Sequence, residues 1–540
     1  MKRILPLASV LIFFLTGLAL IPWPGLQNDE LFFAGPIYSA DAAFYNIELG
    51  ALKIPGMVMS YTGALKTWLY AGLFQVLAPT EWSVRIPVLL MGMATIWLTW
   101  LWVRFANGGR AAGIAAILLA TDTMFQLTNT FDWGPVALQH ILLMGGLAAF
   151  GAWLLRNSGR MLALAFFLWG LGMWDKALLA WPLGGLAVAA LCVYPRETLR
   201  RVRPKPVAIA VASFCLGAAP LVWYNIDHRG ETATANAKFT VEDIGHKVTA
   251  LRQTADGSAL FGYMVYRRDP AFARIPRNAV GRAAAWVSSV AGDHHRNLMV
   301  PAYVLAVLLT PLLWRSPLFS PSPLRGFVLF VAIATAVAWA QMALTKGTGG
   351  AAHHAILLWP FPAVLVALIF SEAARLVPRF GFVLLTAVVA ILAGANLLNT
   401  NEYLAAFAVN GASGGWTDAV YRLADSVEKS DTVSWYGLVD WGYLNALRTL
   451  HEGDLPIFIA QVPAAGTTPT EADLAEIRRE IDAPDRVFIQ HTDDKQMFKG
   501  VNQRWRDVAA RLGFTEKIEK IIHDRNGRPV FELFRMEKTQ

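Results

Sequence analysis

The chain is 540 residues long, with 55% of them hydrophobic and only 16% charged. Soluble domains carry about a quarter charged residues, so this balance excludes an ordinary soluble enzyme, and the apolar excess excludes a disordered or collagen-like chain. The net charge of +8 is modest and gives no reason to expect a nucleic acid partner. Cys192 and Cys215 are the only cysteines and both lie in apolar runs, which argues against a disulfide framework or a cysteine zinc site.

A helix needs about 20 mostly apolar residues to cross a bilayer. In chain order such runs occupy 4–22, 86–104, 111–128, 133–155, 161–174, 177–195, 207–225, 298–314, 326–344, 354–371 and 380–398. The first follows Lys2 and Arg3, as a secretory signal would, but ten runs come after it and no small-residue cleavage site is clear, which favours a retained helix. Loop charge gives the orientation independently. With the N-terminus cytoplasmic, Arg104, Arg110, Arg156, Arg160, Arg196, Arg200, Arg201, Arg203, Lys205, Arg315, Arg325, Arg375 and Arg379 all fall in short inner loops. The short outer turns carry only Asp132, Asp175, Lys176 and Lys346, so the alternation follows the positive-inside rule. The expected fold is an all-α polytopic membrane bundle of about eleven transmembrane helices over 1–398, followed by a soluble α/β domain over 399–540. A bacterial inner membrane location, with that domain outside the cytoplasm, follows from the same reading.

Two long outer segments, 23–85 and 226–297, interrupt the bundle. Residues 61–78 are apolar around Lys66 and suit a helix lying at the membrane interface. Segment 226–297 carries Arg267, Arg268, Arg274, Arg277 and Arg282; long translocated segments escape the charge rule. In the tail, helical patterns at 416–429, 441–451, 470–482 and 501–512 alternate with β-rich runs at 432–436, 456–460 and 486–490. Thr470 with Asp473 has the spacing of a capping box, and Asn526-Gly527 between 517–523 and 529–536 signals a hairpin turn.

The charges that remain on the outer face are the candidates for chemistry. Asp29-Glu30 follows the first span, where a carboxylate can deprotonate an acceptor hydroxyl or help hold a divalent ion. Cations able to meet a phosphate lie on the same face: Lys53, Lys66 and Arg85 in the first outer segment, then Lys346 with His353-His354 before the tenth span. Each has a plainer reading, as a snorkelling lysine, a helix anchor or a hydrated helix start. Asp132 and Asp175-Lys176 close the two tightest outer turns, where charge so near the hydrocarbon is costly and points to a substrate role, although Asp175-Lys176 also suits a local ion pair. Asp293-His294-His295 precedes the eighth span and offers metal ligands, with a wet helix start as the plainer reading. A divalent metal stays open, and nothing points to an organic cofactor: no phosphate-binding loop, dinucleotide fingerprint, nucleophile elbow or HExxH motif is present.

An outer loop opening on Asp29-Glu30, interfacial helices, and Arg85-Ile86-Pro87 at the start of the second span together resemble the GT-C glycosyltransferases, in the branch of the protein O-mannosyltransferases and the lipid A aminoarabinose transferases. Tyr61-Thr62-Gly63-Ala64-Leu65-Lys66 is similar to that branch's His-Pro-Pro-Leu-Gly-Lys stretch in its Leu-to-Lys neighbourhood, and His353-His354 before Pro360 is similar to its histidine-to-proline approach to a late span. The resemblance covers roughly residues 1–400. It implies a sugar donor on a polyprenyl phosphate, a hydroxyl acceptor and the lipid bilayer as partners, with transfer on the outer face. It also implies Asp29 as the base of an inverting reaction, Glu30 as its partner or a spectator, and Lys66, Arg85, Lys346 or His354 as stabilisers of the leaving phosphate. Two alternatives stand beside it: a transporter or lipid flippase, and an oligosaccharyltransferase using lipid pyrophosphate donors. The hallmark Trp-Trp-Asp-Tyr-Gly of the latter is absent, and Asp440-Trp441-Gly442-Tyr443 is a partial echo of it.

Overall fold

The structure is a computed structural model that describes residues 4–107, 109–266, 269–315, 323–429 and 432–539; Lys2, Arg3, Arg267 and Arg268 lie outside the described residues. Every apolar run of the sequence falls on helix. In chain order the main ones are α1 (Ile4–Leu20), α2 (Glu81–Asn107), α3 (Gly109–Thr121), α4 (Val136–Arg156), α5 (Gly159–Asp175) and α6 (Ala180–Val193). They continue as α7 (Pro195–Arg201), α8 (Pro204–Gly217), α9 (Met299–Arg315), α10 (Pro323–Ala343), α11 (Phe361–Ala373) and α12 (Gly381–Asn410).

The count of eleven spans is not reached. Among the described residues four helices, Glu81–Ala106, Val136–Arg156, Leu324–Ala343 and Gly381–Asn410, are long and apolar enough to cross a bilayer alone. Three further passes qualify only as helix pairs bent by 110°, 77° and 44°, which brings the total to seven. Short helices account for the difference. At a rise of about 1.5 Å per residue, 17-residue α1, α5 and α9 and 13-residue α3 fall short of a hydrocarbon core of about 30 Å. The run 111–128 is interrupted at Asp122, whose carboxylate accepts the Phe125 N–H at 2.9 Å and restarts the helix as Thr123–Thr128.

The first outer segment holds strands that the sequence reading did not anticipate. Strands β1 (Tyr45–Leu49) and β2 (Leu52–Met59) pair antiparallel across a two-residue turn, with β3 (Thr62–Gly63) beside β2. Gly50, at φ +64°, supplies the positive φ that this turn requires. The interfacial helix expected over 61–78 is shortened to Leu65–Leu73, because residues 62–63 are taken up by the sheet.

The tail is the expected α/β domain, but α12 runs on to Asn410, past the boundary drawn at residue 398. Its strands are β4 (Trp435–Leu438), β5 (Ile457–Ile459), β6 (Arg486–His491), β7 (Phe514–His523) and β8 (Pro529–Lys538), in the order β5-β4-β6-β8-β7. The β4 strand is parallel to β5 and β6, whereas β8 is antiparallel to β6 and β7. Thr470 and Asp473 form the capping box, and Asp524 shapes the β7–β8 turn by accepting the N–H groups of Asn526 and Arg528 at 2.9 and 2.8 Å.

The tail is not a separate body. Leu26, Leu31, Phe33, Tyr70 and Val84 of the first outer segment share one apolar core with Val420, Leu423, Tyr436, Tyr443 and Phe531 of the tail. The strap 25–31 is also tied by its backbone: Gly25 N–H donates to Trp416 O at 2.7 Å, Asn445 N–H to Asn28 Oδ1 at 3.1 Å and Asn445 Nδ2 to Asn28 O at 3.3 Å. Gly25 has no alternative there, since a Cβ would lie 2.0 Å from Thr417 O.

Candidate functional site

The charged residues at this end of the bundle divide into a closed set and an open set. Glu30 and Arg85 belong to the first and have no exposed surface. Arg85 Nε and Nη2 donate to the Glu30 carboxylate at 2.9 Å each, and the remaining guanidinium N–H groups go to Ile21 O, Pro24 O and Gly25 O at 2.8–2.9 Å. A bidentate pair that also satisfies every other donor can be buried without an orphan charge. It leaves no donor for a phosphate, so the leaving-group role considered for Arg85 is not supported, and Glu30 sits in the fold as its counter-ion.

Lys66 is closed in the same way. Its Nζ lies 2.8 Å from Asp132 Oδ2 and donates to Glu30 O at 3.2 Å, with the Phe33 ring centroid 4.6 Å away. The other carboxylate oxygen of Asp132 accepts the Ala137 N–H at 3.0 Å in the first turn of α4. Asp175 at the end of α5 accepts from Gln139 Nε2 at 2.9 Å, and its Oδ1 is buried without a protein partner. These groups share one buried polar layer, which carries the strap, the first outer helix and two turns.

Two of the expected cations are elsewhere. Lys53, on β2, makes an exposed pair with Asp41 at 2.7 Å. Lys346 is exposed on the turn after α10, where its N–H donates to Lys238 O. Neither is brought to Asp29.

The open set is built around Asp29. Gln27 Oε1 accepts the Asp29 N–H at 2.5 Å and the Glu30 N–H at 3.1 Å, which turns the strap so that the Asp29 side chain stays half-buried. Burial pushes the Asp29 carboxyl above its ordinary value, while donors on Trp133, Gln27 and Asn28 and the charge of Lys176 pull it back. Lys176 comes from the α5–α6 turn, where Thr62 bridges to it and Tyr61 O accepts the Ala177 N–H at 2.9 Å. Its Nζ donates one long hydrogen bond, 3.3 Å to Gly134 O, and forms no ion pair among the described residues, so donors remain for a ligand. Burial lowers the Lys176 ammonium, and Asp175, Asp132 and Asp29 oppose that. Gly134, at φ +77°, makes the approach possible: a Cβ there would meet Lys176 Nζ at 3.2 Å and His353 Cδ2 at 3.7 Å.

Aromatic rings and imidazoles complete this group. Trp133 stacks on Tyr263 with ring centroids 4.8 Å apart and packs against His353 at 4.2 Å. His353 and His354 stand 4.1 Å apart, and the Nδ1 atom of each is buried without a protein partner. Tyr61 is half-buried and feels the Asp29 charge, as does Tyr263. The structure therefore groups Lys176, Tyr61, Trp133 and Tyr263 with Asp29, and His353 and His354 with Trp133. Trp133 and Tyr263 were missed as site residues. Trp133 directly follows Asp132, which could have signalled it, whereas nothing in the long segment 226–297 marks Tyr263. Two residues of the run Asp293-His294-His295, whose plainer reading is a wet helix start, are joined by one from α12: donor atoms of Asp293, His295 and Glu402 lie within 4.8 Å of one another, in a group distinct from the Asp29 site.

Comparison with known proteins bears on the fold. A family model described as dolichyl-phosphate-mannose-protein mannosyltransferase matches residues 63–223, which include Lys66, Arg85, Asp132, Asp175 and Lys176. The crystal structure of ArnT from Cupriavidus metallidurans bound to undecaprenyl phosphate superposes with a TM-score of 0.52 at 16% identity, over 98% of this chain and 97% of that one. Its apo form gives 0.51 at 14% identity, with the same coverage. The archaeal oligosaccharyltransferase AglB from Archaeoglobus fulgidus, in complex with an inhibitory peptide and a dolichol-phosphate, gives 0.52 at 12% identity over 100% of this chain and 75% of that one. No curated protein matches the sequence. The chain has the GT-C fold, and the resemblance to GT-C glycosyltransferases read from its sequence stands.

Proposed function

We propose that this GT-C chain transfers a sugar from a polyprenyl-phosphate donor to a hydroxyl acceptor at the membrane surface, with Asp29 as general base. The observation that carries the reading is the open set itself: a half-buried carboxylate feels the charge of an ammonium with spare donors, and the Trp133 that donates to it packs against His353, one of two imidazoles with unpartnered nitrogens. The family description and the undecaprenyl phosphate and dolichol-phosphate bound by two proteins of the same fold support the class of donor.

In this mechanism the acceptor oxygen attacks the anomeric carbon from the face opposite the phosphate. The new C–O bond forms as the bond to the phosphate oxygen breaks, Asp29 takes the acceptor proton, and the electron pair leaves with the phosphate. The configuration inverts, and the products are a glycoside and a polyprenyl phosphate. The leaving group gains negative charge as it departs, so it needs a nearby cation more than a proton. Lys176 supplies that charge, and His353 and His354 supply N–H donors. The stacked Trp133 and Tyr263 offer a ring face to a sugar or to the first units of the prenyl chain. The closed pairs Glu30–Arg85 and Lys66–Asp132 hold the frame on which these groups are mounted.

Multiple helical passes with the tail and the site at the same end fit the orientation in which both lie outside the cytoplasm. A strain lacking the gene tests the reading. Mass spectrometry of its lipids should show one polyprenyl-phosphate sugar accumulating while one glycoconjugate disappears. An unchanged lipid-linked sugar pool would refute the proposal. The flippase alternative has no comparable support, because the comparisons return glycosyltransferase folds.

A further inference from the structure

The helices that present the site also form a cleft at their opposite ends. Asp132 and Lys176 lie at the start of α4 and just past the end of α5, whereas the cleft is lined by the end of α4 and the start of α5. It has a volume of about 590 Å³, within the range of roughly 300–1,000 Å³ typical of ligand sites. Its wall is aromatic and apolar, with Trp102, Phe105, Phe150, Phe166 and Phe330 contributed by four helices.

One edge of the cleft is not apolar. Helix α7, bent by 110° from the pass before it, brings Glu197 and Arg201 to the lining. The Arg201 guanidinium lies 5.0 Å from the Trp153 ring centroid and pairs with no carboxylate among the described residues. The strand of chain from 195 to 205 carries Arg196, Arg200, Arg201, Arg203 and Lys205 against the single acid Glu197. An apolar slot that Arg201 lines, on a stretch of chain this basic, is complementary to an acyl chain joined to a negatively charged headgroup.

We propose that the cleft is a binding site for an anionic phospholipid of the leaflet opposite the catalytic end, with one acyl chain among the aromatic rings and the phosphate at Arg201. A basic surface alone would attract anionic lipid loosely. The slot adds an anchor for the chain, so the lipid is held through extraction rather than exchanged with the bulk.

The test uses the full-length protein in nanodiscs of equal parts phosphatidylglycerol and phosphatidylcholine, released and weighed by native mass spectrometry. The wild type should retain phosphatidylglycerol in preference to phosphatidylcholine. Arg201→Gln should lower that preference about fivefold, the weight of one cation at an anionic surface. Gly151→Phe should abolish retention of either lipid. Gly151 lines the cleft, and its added Cβ meets nothing nearer than Phe105 Cδ2 at 3.5 Å, so a ring fills the slot without disturbing the backbone. Circular dichroism melting of both variants confirms folding. Equal retention of the two lipids by the wild type, or wild-type retention by both variants, would overturn the proposal.

Discussion

At the scale of single residues, the structure separates charges that hold the protein together from charges free to act. Composition and spacing could place Glu30, Lys66, Arg85 and Lys176 on one face, but they carry no information about which of them are already paired. Arg85 donates all of its N–H groups to protein oxygens, whereas Lys176 donates one long hydrogen bond. Replacing Arg85 with Leu strands the buried Glu30 carboxylate and should cost about 3–5 kcal/mol of stability, read as a lower unfolding midpoint. Replacing Lys176 with Met should leave the protein folded and reduce the rate of transfer by about 10²–10³, the usual loss when one charge stabiliser is removed. The Asp29 carboxyl is raised by burial, and a base works only when deprotonated. The pH–rate profile should therefore fall on its acid side at a pH above the ordinary aspartate value. A limb at or below that value would count against Asp29 as the base.

At the scale of elements, what was legible depended on whether a signal was local. The capping box at Thr470 and the turn at Asn526-Gly527 are written within a few residues, and both are present. The β1–β2 hairpin was missed although Gly50 marks its turn, and β3 at Thr62–Gly63 was read as the start of an interfacial helix because the apolar pattern around Lys66 extends to residue 61. The contact between tail and strap was invisible, since Asn28 and Asn445 are 417 residues apart in sequence. That contact gives the tail a task, which is to fix the strap that carries Asp29. Asn445→Ala keeps the backbone N–H bond to Asn28 Oδ1 but removes the side-chain bond to Asn28 O, and should lower kcat by about tenfold with little change in donor KM, since a small displacement of a reacting group is costly. Within the tail, burial lifts the Glu516 carboxyl to about 7, although Arg506 and Gln490 oppose the rise. An acid raised on folding stabilises its protonated form, so the tail should lose stability as the pH climbs from the ordinary glutamate range through about 7. Glu516→Gln should flatten that part of the melting-temperature profile.

At the scale of the whole molecule, hydrophobic periodicity and loop charge gave the helices, their order and the tail, but not the number of full crossings. Length counted along a sequence does not see the breaks at Asp122 or the sharp turn at α7, which make several runs shorter or bent. The GT-C resemblance rested on short motifs at one end of the bundle, and the fold supports it along nearly the whole chain. The central claim is that Asp29 removes the acceptor proton during sugar transfer. The most direct measurement is the single-turnover rate of transfer from a polyprenyl-phosphate sugar by purified wild type and Asp29→Asn, with donor binding measured in parallel. The account predicts that the variant binds donor as the wild type does and transfers about 10²–10⁴-fold more slowly. A variant that transfers at the wild-type rate would contradict it.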